Sequence, residues 1–329
     1  MEPQARLALF LERKVAAGLP LRQVTPLSGD ASDRSYYRLC LEQGTLVAAV
    51  LAAPFDPDLL PFLNVARLFQ EIPVPVPRIE EVDGELGILL LEDVGDDLLQ
   101  SVVDRASADL KGRLYREAVE LLLRLQRRGA ELSSSEYIPY RIVFDEEKLR
   151  WELDYFRKHF LEGLRRARPS PAEQEELAGA FGRIASELGA LPRVLCHRDY
   201  HARNLMVRDG SLVVLDFQDA RLGPATYDLV SLLRDSYVSH PADFVEEIKA
   251  YFWTESGVPP REAEFALMSL QRNLKALGTF GYQIGVRAKE VYRPYIPWTL
   301  ELVRLNLERH PRWDALHRVL ANYLPELAY

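Results

Sequence analysis

The chain is poor in cysteine, with two in 329 residues, Cys40 and Cys196. They lie far apart and offer neither a metal-binding spacing nor a disulfide framework, which fits a reduced intracellular setting. Long apolar runs are also missing, since the longest, LVAAVLAAPF from Leu46 to Phe55, is too short to span a bilayer. The first residues, MEPQARLALFLERKVAAG, lack a signal peptide's basic start and cleavage site and read as a short amphipathic helix. The expected location is therefore the cytoplasm. Positive charge is in deficit, 41 Lys and Arg against 49 Asp and Glu for a net charge of −8. No overall field drives such a chain onto nucleic acid or an anionic membrane. One shortage is local: no lysine occurs between Val15 and Gly95. Internal repeats and low-complexity segments are absent as well.

What is present is ordinary for a globular protein, 48% hydrophobic and 27% charged residues, in a length that suits one large domain or two lobes. Two regions differ in periodicity. From Val24 to Asp93 the segments QVTPLSG, SYYRLCLEQGTLVAAVLA and RIEEVDGELGILLLED alternate or run apolar, with turns at Gln43-Gly44 and Asp83-Gly84. Between them DPDLLPFLNVARLFQ reads as one helix, closed by the extended PVPVP. After Gly95 the pattern turns helical. Leu110, Leu114, Ala118, Leu121, Leu122 and Leu125 form one stripe that Gly129 is expected to stop. Ser170-Pro171-Ala172-Glu173 combines a capping box with proline at the first helical position. A hairpin interrupts the helices: NLMV, a turn at Asp209-Gly210, then SLVVLDF. The expectation is an α+β chain of two lobes. Residues 1–95 form a small antiparallel β N-lobe with a helix, residues 96–329 a larger, mainly helical C-lobe carrying the hairpin, with a hinge near Glu92 to Gly95.

The polar density of CHRDYHARNLMVRDGSLVVLDFQDA, Cys196 to Ala220, calls for an explanation. A two-residue turn folds the hairpin back, which is expected to bring Asn204 near Asp216 and both near Asp199. Each residue alone has a plain reading as a turn or cap residue. The ordered set of loop, hairpin, apolar strand and strand-end aspartate matches what phosphoryl transfer needs. A carboxylate and an amide oxygen, Asp216 and Asn204, would hold Mg2+ on the phosphates of ATP, and a further carboxylate, Asp199, would orient the acceptor hydroxyl and take its proton. His201 and Arg203 in the same loop are candidates for contact with acceptor or phosphate, and His197 for a buried scaffold position.

CHRDYHARN followed by LDF resembles the catalytic loop and metal-binding turn of the protein-kinase-like superfamily, with Asn five residues after the Asp of HRD and Gln218 where protein kinases have glycine. GPATYDLVSLL runs almost directly into a helix and leaves no room for a peptide-docking segment. The chain therefore resembles the aminoglycoside-phosphotransferase and choline-kinase branch, whose members phosphorylate small molecules. SGDASDRSYYRL, LLLEDVG, WELDYFRKHF, HRDYHARNLMV, LDFQDARLGPATYDLVSLLRDSY and QRNLKALGTF together resemble the N-acetylmuramate/N-acetylglucosamine anomeric kinases of cell-wall recycling, from Leu27 to about Phe280. The resemblance implies a bilobal kinase-like fold that transfers the γ-phosphate of ATP to a C1 hydroxyl. It also implies a structural role for Asp228, bracing the catalytic loop. The rival expectations are another small hydroxyl acceptor, such as an aminoglycoside or choline, and a nucleotide binder without turnover.

In the N-lobe, Ser28, Gly29 and Ser32 lie in a loop that could fold over phosphates, with a plain hairpin loop as the alternative. The Glu92 carbonyl and Val94 amide are the candidates for adenine. The strand LVAAVLA lacks the lysine that protein kinases place there, so Arg34 and Arg38, which the family's arginine-rich second strand supports, are the candidate phosphate cations. On the acceptor side the candidates are Gln218 and Glu152, whose helix neighbours Trp151, Tyr155 and Phe156 read first as core. Arg272 and Lys275 in QRNLKALG read first as a solvated face. Oligomeric state is not legible.

Overall fold

The structure is a computed structural model that describes residues 2–27 and 34–328. It divides into two compact units, Met1–Asp97 with Met206–Gln218, and Leu98–Leu205 with Asp219–Tyr329. The first break falls two residues beyond the sequence expectation. The hairpin, assigned from sequence to the larger lobe, clusters instead with the smaller unit. Among the described residues no helix is long and apolar enough to cross a membrane.

The smaller unit opens with α1 (Pro3–Ala16), β1 (Leu21–Leu27), β2 (Ser35–Leu41), β3 (Thr45–Val50), α2 (Pro61–Glu71), β4 (Ile79–Asp83) and β5 (Ile88–Glu92). The strands make one antiparallel sheet in the order β1-β2-β3-β5-β4. Alternation places Leu39, Ala48, Val50, Ile88 and Leu90 in a core closed by Leu7 and Phe10 of α1. Arg6, two per cent exposed on the same helix, donates to the carbonyls of Leu86 (2.6 Å), Leu51 and Ala52, so a buried charge is spent on strand-end oxygens. α2 buries Phe62, Val65, Ala66, Leu68 and Phe69. Phe217, from the distant second segment, stacks on Phe62 (centroids 4.8 Å) and tilts against Phe69 (5.6 Å). Backbone bonds from Val207 to Asp97 O (2.7 Å) and from Val214 to Pro75 O (2.8 Å) join the same segment to the unit. These contacts explain its placement.

The larger unit holds α3 (Leu99–Val103), α4 (Ala108–Glu131), α5 (Glu146–Phe156), α6 (Pro171–Gly189) and β6 (Arg193–Cys196). After the hairpin strands β7 (Leu205–Arg208) and β8 (Ser211–Val214) come β9 (Arg221–Pro224), α7 (Tyr227–Leu233), α8 (Ala242–Ser256), α9 (Glu262–Gly285), α10 (Ile296–Arg309) and α11 (Asp314–Ala321). α6 starts with the capping box expected: Ser170 Oγ accepts from the Glu173 amide, and the Glu173 carboxylate from the Ser170 amide (2.8 Å). α4 does not stop at Gly129 but runs to Glu131. Glycine stands there because a Cβ would sit 2.9 Å from the side chain of Leu195 in β6, so the residue serves packing rather than termination. α9 is the central helix. A Cβ at Gly278 would lie 2.8 Å from the Phe156 backbone, so α9 lies almost directly on the end of α5, where the chain widens into a π-helical stretch, Arg157–Leu164. Of the aromatic residues read as core on α5, Phe156 is buried, whereas Trp151 is 52% exposed.

Candidate active site

The loop after β6 carries the expected site, and its shape is set by groups far away in sequence. Arg198 has φ +87°, a conformation that costs a non-glycine residue about 1–3 kcal/mol and persists only when surroundings hold it. Asp228, at the start of α7, accepts the His197 amide (2.6 Å) and the Arg198 amide (3.0 Å). Arg272 of α9 donates to the Arg198 carbonyl (3.2 Å) and to the Tyr227 hydroxyl (3.3 Å). His197 is fully buried, edge-on to Tyr200 (5.6 Å), and its Nδ1 accepts from the Asp199 amide (3.3 Å). Tyr200 anchors the loop to α4 by donating to Ala118 O (2.8 Å). Asp235 accepts the amides of Ala202 (2.9 Å) and Tyr237 (2.8 Å), and burial raises its carboxyl to about 6. Sequence reading missed Asp235, since an aspartate after a helix reads as a cap.

Asp199 stands among cations. Lys275 Nζ lies 3.0 Å from its Oδ1 and Arg272 Nη1 3.4 Å from the same oxygen, while Arg198 Nη1 is 3.5 Å from Oδ2. Burial alone would raise the carboxyl, but Lys275, Arg198 and Arg272 outweigh it and hold Asp199 well below the usual carboxylate range. The carboxyl is therefore ionised near neutral pH. Arg272 and Lys275, read from sequence as a solvated face, instead face Asp199 and are largely buried.

Asn204 donates its amide nitrogen to the Asp199 carbonyl (2.8 Å), which commits the nitrogen to the loop and so sets the direction of the side-chain oxygen. In the smaller unit Asp216 takes φ +57°, a left-handed position that aspartate tolerates, and Gln218 Nε2 donates to its Oδ1 (2.7 Å). Gln218 thus orients Asp216. Each candidate metal ligand, Asn204 in the larger unit and Asp216 in the smaller, offers a hard oxygen, the donor type Mg2+ takes. Among the described residues no group of three or more His, Cys, Asp or Glu could hold a metal ion.

The other expectations fare unevenly. Burial pushes His201 down to about 3, with Arg272 and Lys275 adding to it against Asp199, so its ring is neutral near pH 7. The ring lies edge-on to Tyr237 (5.1 Å), over which the Arg203 guanidinium also sits (4.7 Å). Glu152 is corrected: one per cent exposed, it accepts from Gln271 Nε2 (2.9 Å) and belongs to the interior rather than to an acceptor surface. Arg38 is corrected too. Its guanidinium is held by Asp93 (2.6 and 3.1 Å) and Asp96 (2.8 Å on each oxygen), so it ties β2 to the segment after β5 and is already engaged by carboxylates. Asp93 also accepts from the Gly95 amide (3.0 Å), and Arg38 outweighs burial to keep its carboxyl low. Arg38→Met should cost about 2–4 kcal/mol in urea unfolding, because the Asp93 side chain, five per cent exposed, loses its cation. Arg38→Met/Asp93→Asn should recover most of that loss, and an unrecovered double variant would refute the pairing. Arg34 packs its guanidinium over the Phe62 ring (5.5 Å). β5 ends at Glu92, whose carboxylate is taken by Arg208 and Arg78, and the Val94 side chain is buried. Ser28, Gly29 and Ser32 lie outside the described residues.

A family model described as a phosphotransferase enzyme family matches residues 23–265. An N-acetylmuramate/N-acetylglucosamine kinase of Neisseria meningitidis serogroup B is 32% identical over 308 residues, covering 90% of this chain and 89% of the relative. A protein of the same name from Pseudomonas aeruginosa is 33% identical over 320 residues, covering 94% and 90%. Among solved structures, a Streptococcus pneumoniae choline kinase superposes with TM-score 0.63 at 14% identity, over 92% of this chain and 99% of that one. An ADP-bound aminoglycoside phosphotransferase gives 0.62 at 16%, over 89% and 96%. At those identities the likeness concerns the fold.

Proposed function

The chain belongs to the phosphotransferase enzyme family and is an ATP-dependent enzyme that moves a phosphoryl group onto a hydroxyl; from that premise we propose that its acceptor is an N-acetylated amino sugar, phosphorylated on the anomeric hydroxyl. The names of the relatives, matched over nearly the whole chain, support the sugar. The observation that carries the reading is the 32–33% identity to those relatives over 90% or more of this chain. The hemiacetal hydroxyl is the most acidic of a sugar, because the ring oxygen stabilises its conjugate base inductively, and Asp199, faced by Lys275, Arg272 and Arg198, is the carboxylate that would orient it.

Asp199 orients that hydroxyl toward the γ-phosphorus and accepts its proton late, as the bond to phosphorus forms and the bond to ADP breaks. Asn204 and Asp216 would hold Mg2+, which when bound supplies charge neutralisation on the phosphate oxygens. Gln218 keeps the Asp216 carboxylate oriented. The Glu92 carbonyl and Val94 amide take adenine at the hinge. Arg34, whose guanidinium lies over the Phe62 ring, supplies the cation of the smaller unit. His201, neutral, and Arg203 flank the acceptor through their shared partner Tyr237.

The test is ³¹P NMR of the protein with Mg-ATP and, in separate tubes, N-acetylmuramic acid, N-acetylglucosamine, kanamycin and choline. A new sugar phosphate resonance split by the anomeric proton is expected. A product only from kanamycin or choline would discard the sugar and keep the phosphotransferase.

A further inference from the structure

We propose that Lys275 is the positioning residue of the reaction: its ammonium holds one oxygen of Asp199 so that the other is presented to the acceptor hydroxyl. The inference rests on the reading of Asp199 as the acceptor-facing carboxylate.

The geometry divides the two oxygens of Asp199 unequally. Oδ1 takes both close cations of α9, Lys275 at 3.0 Å and Arg272 at 3.4 Å, whereas Oδ2 has a contact of 3.5 Å from Arg198. The two guanidinium groups each have a nearer partner. Arg198 bonds Asp219 at 2.7 Å, and Arg272 bonds the Arg198 carbonyl at 3.2 Å and Tyr227 at 3.3 Å. Lys275 bonds Asp199 in preference. A terminal carboxylate torsion is soft and broad, so a carboxylate without an outside restraint samples many orientations. Lys275 removes that freedom, and it does so from a rigid place. α9 is pressed onto the α5 terminus at Gly278, one turn beyond Lys275, closer than any side chain could allow. The lysine therefore projects from a helix that is tightly packed one turn away.

The arrangement has a cost that packing does not explain. Lys275 is 16% exposed, and burial together with Arg272 and Arg198 works against its charge. A methionine of similar length would fill the same space without desolvating an ammonium. A third cation beside a carboxylate that already faces two arginines is thus unfavourable for stability and useful for orientation, which is how a positioning residue differs from a structural one.

Lys275→Met, Lys275→Arg and Asp199→Asn are to be compared by ADP release at saturating Mg-ATP, with N-acetylglucosamine and with water alone as phosphoryl acceptors. Lys275→Met should lower kcat roughly 10- to 100-fold, as removal of an outer-shell orienting partner does. Its KM for ATP should stay within about twofold and its melting temperature should not fall. Lys275→Arg should return most of the lost kcat, since a structural cation and an orienting cation are both satisfied but only orientation shows in kcat. A Lys275→Met enzyme with wild-type kcat beside a crippled Asp199→Asn enzyme would overturn the inference alone. A full-rate Asp199→Asn enzyme would overturn the catalytic reading beneath it as well.

Discussion

Asp199→Asn should lower turnover by about 10²- to 10⁴-fold, the range for removing a positioned acid–base group, while KM for ATP changes little. The variant is not silent in stability. Lys275, Arg272 and Arg198 all face this carboxylate, and the amide that replaces it leaves them crowded without their anion. A loss of about 1–3 kcal/mol follows, less than for a sealed pair because the Asp199 side chain is 21% exposed. The sign with pH is fixed. The folded state holds Asp199 well below its unfolded value near 3.9, so the stability tied to its ionisation is complete above about pH 4. It is lost as pH falls through the depressed folded value. The gap between wild type and Asp199→Asn in urea unfolding should therefore be constant from pH 5 to 8 and close only under strong acid. A gap that narrows already near neutrality would place the charge elsewhere.

The second large effect belongs to a residue that touches no substrate. Asp228→Asn keeps the shape of the side chain but exchanges one acceptor oxygen for a donor, turned toward either the His197 or the Arg198 amide. One buried backbone donor then faces another donor, at a cost of about 1–3 kcal/mol. The positive φ of Arg198 loses its main restraint, and Asp199 is the next residue. Turnover should fall about 100-fold with stability, unlike Lys275→Met, where turnover falls alone. Chemical denaturation and steady-state rates on the same preparation make that comparison. A stable but slow Asp228→Asn enzyme would mean that the aspartate acts on the reaction directly.

How much of this was legible in the sequence depended on the distance over which each restraint acts. The loop His197 to Asn204 and the strand-end Asp216 could be read because they are local and ordered, as could the capping box at Ser170. The five antiparallel strands followed from alternation. Lys275 was seen but misjudged. One residue among several charges on a helix gives no sign of which face is buried, and its partner lies 76 positions away. Arg38 was overestimated for the converse reason, because Asp93 and Asp96, 55 and 58 positions on, claim its guanidinium and the sequence does not show that pairing. Glu152 looked like a surface acid until α9 covered it. The hairpin was recognised but put in the wrong unit, since aromatic contacts of Phe217 with Phe62 and Phe69 cross some 150 residues.

That last feature bears on synthesis. The first 97 residues leave the ribosome without Phe217 and without the backbone partners that Val207 and Val214 give to Asp97 and Pro75. At about 5–20 residues per second, the 108 residues of Leu98–Leu205 take roughly 5–20 s to translate. During that interval the nascent smaller unit has the apolar side of α2, Phe62 and Phe69 included, unshielded by its final cover. A chain terminated after Asp97 is therefore an incomplete folding unit, and a newborn full-length chain passes through a window in which chaperone capture and aggregation compete with the arrival of its own thirteen-residue missing piece, Met206–Gln218.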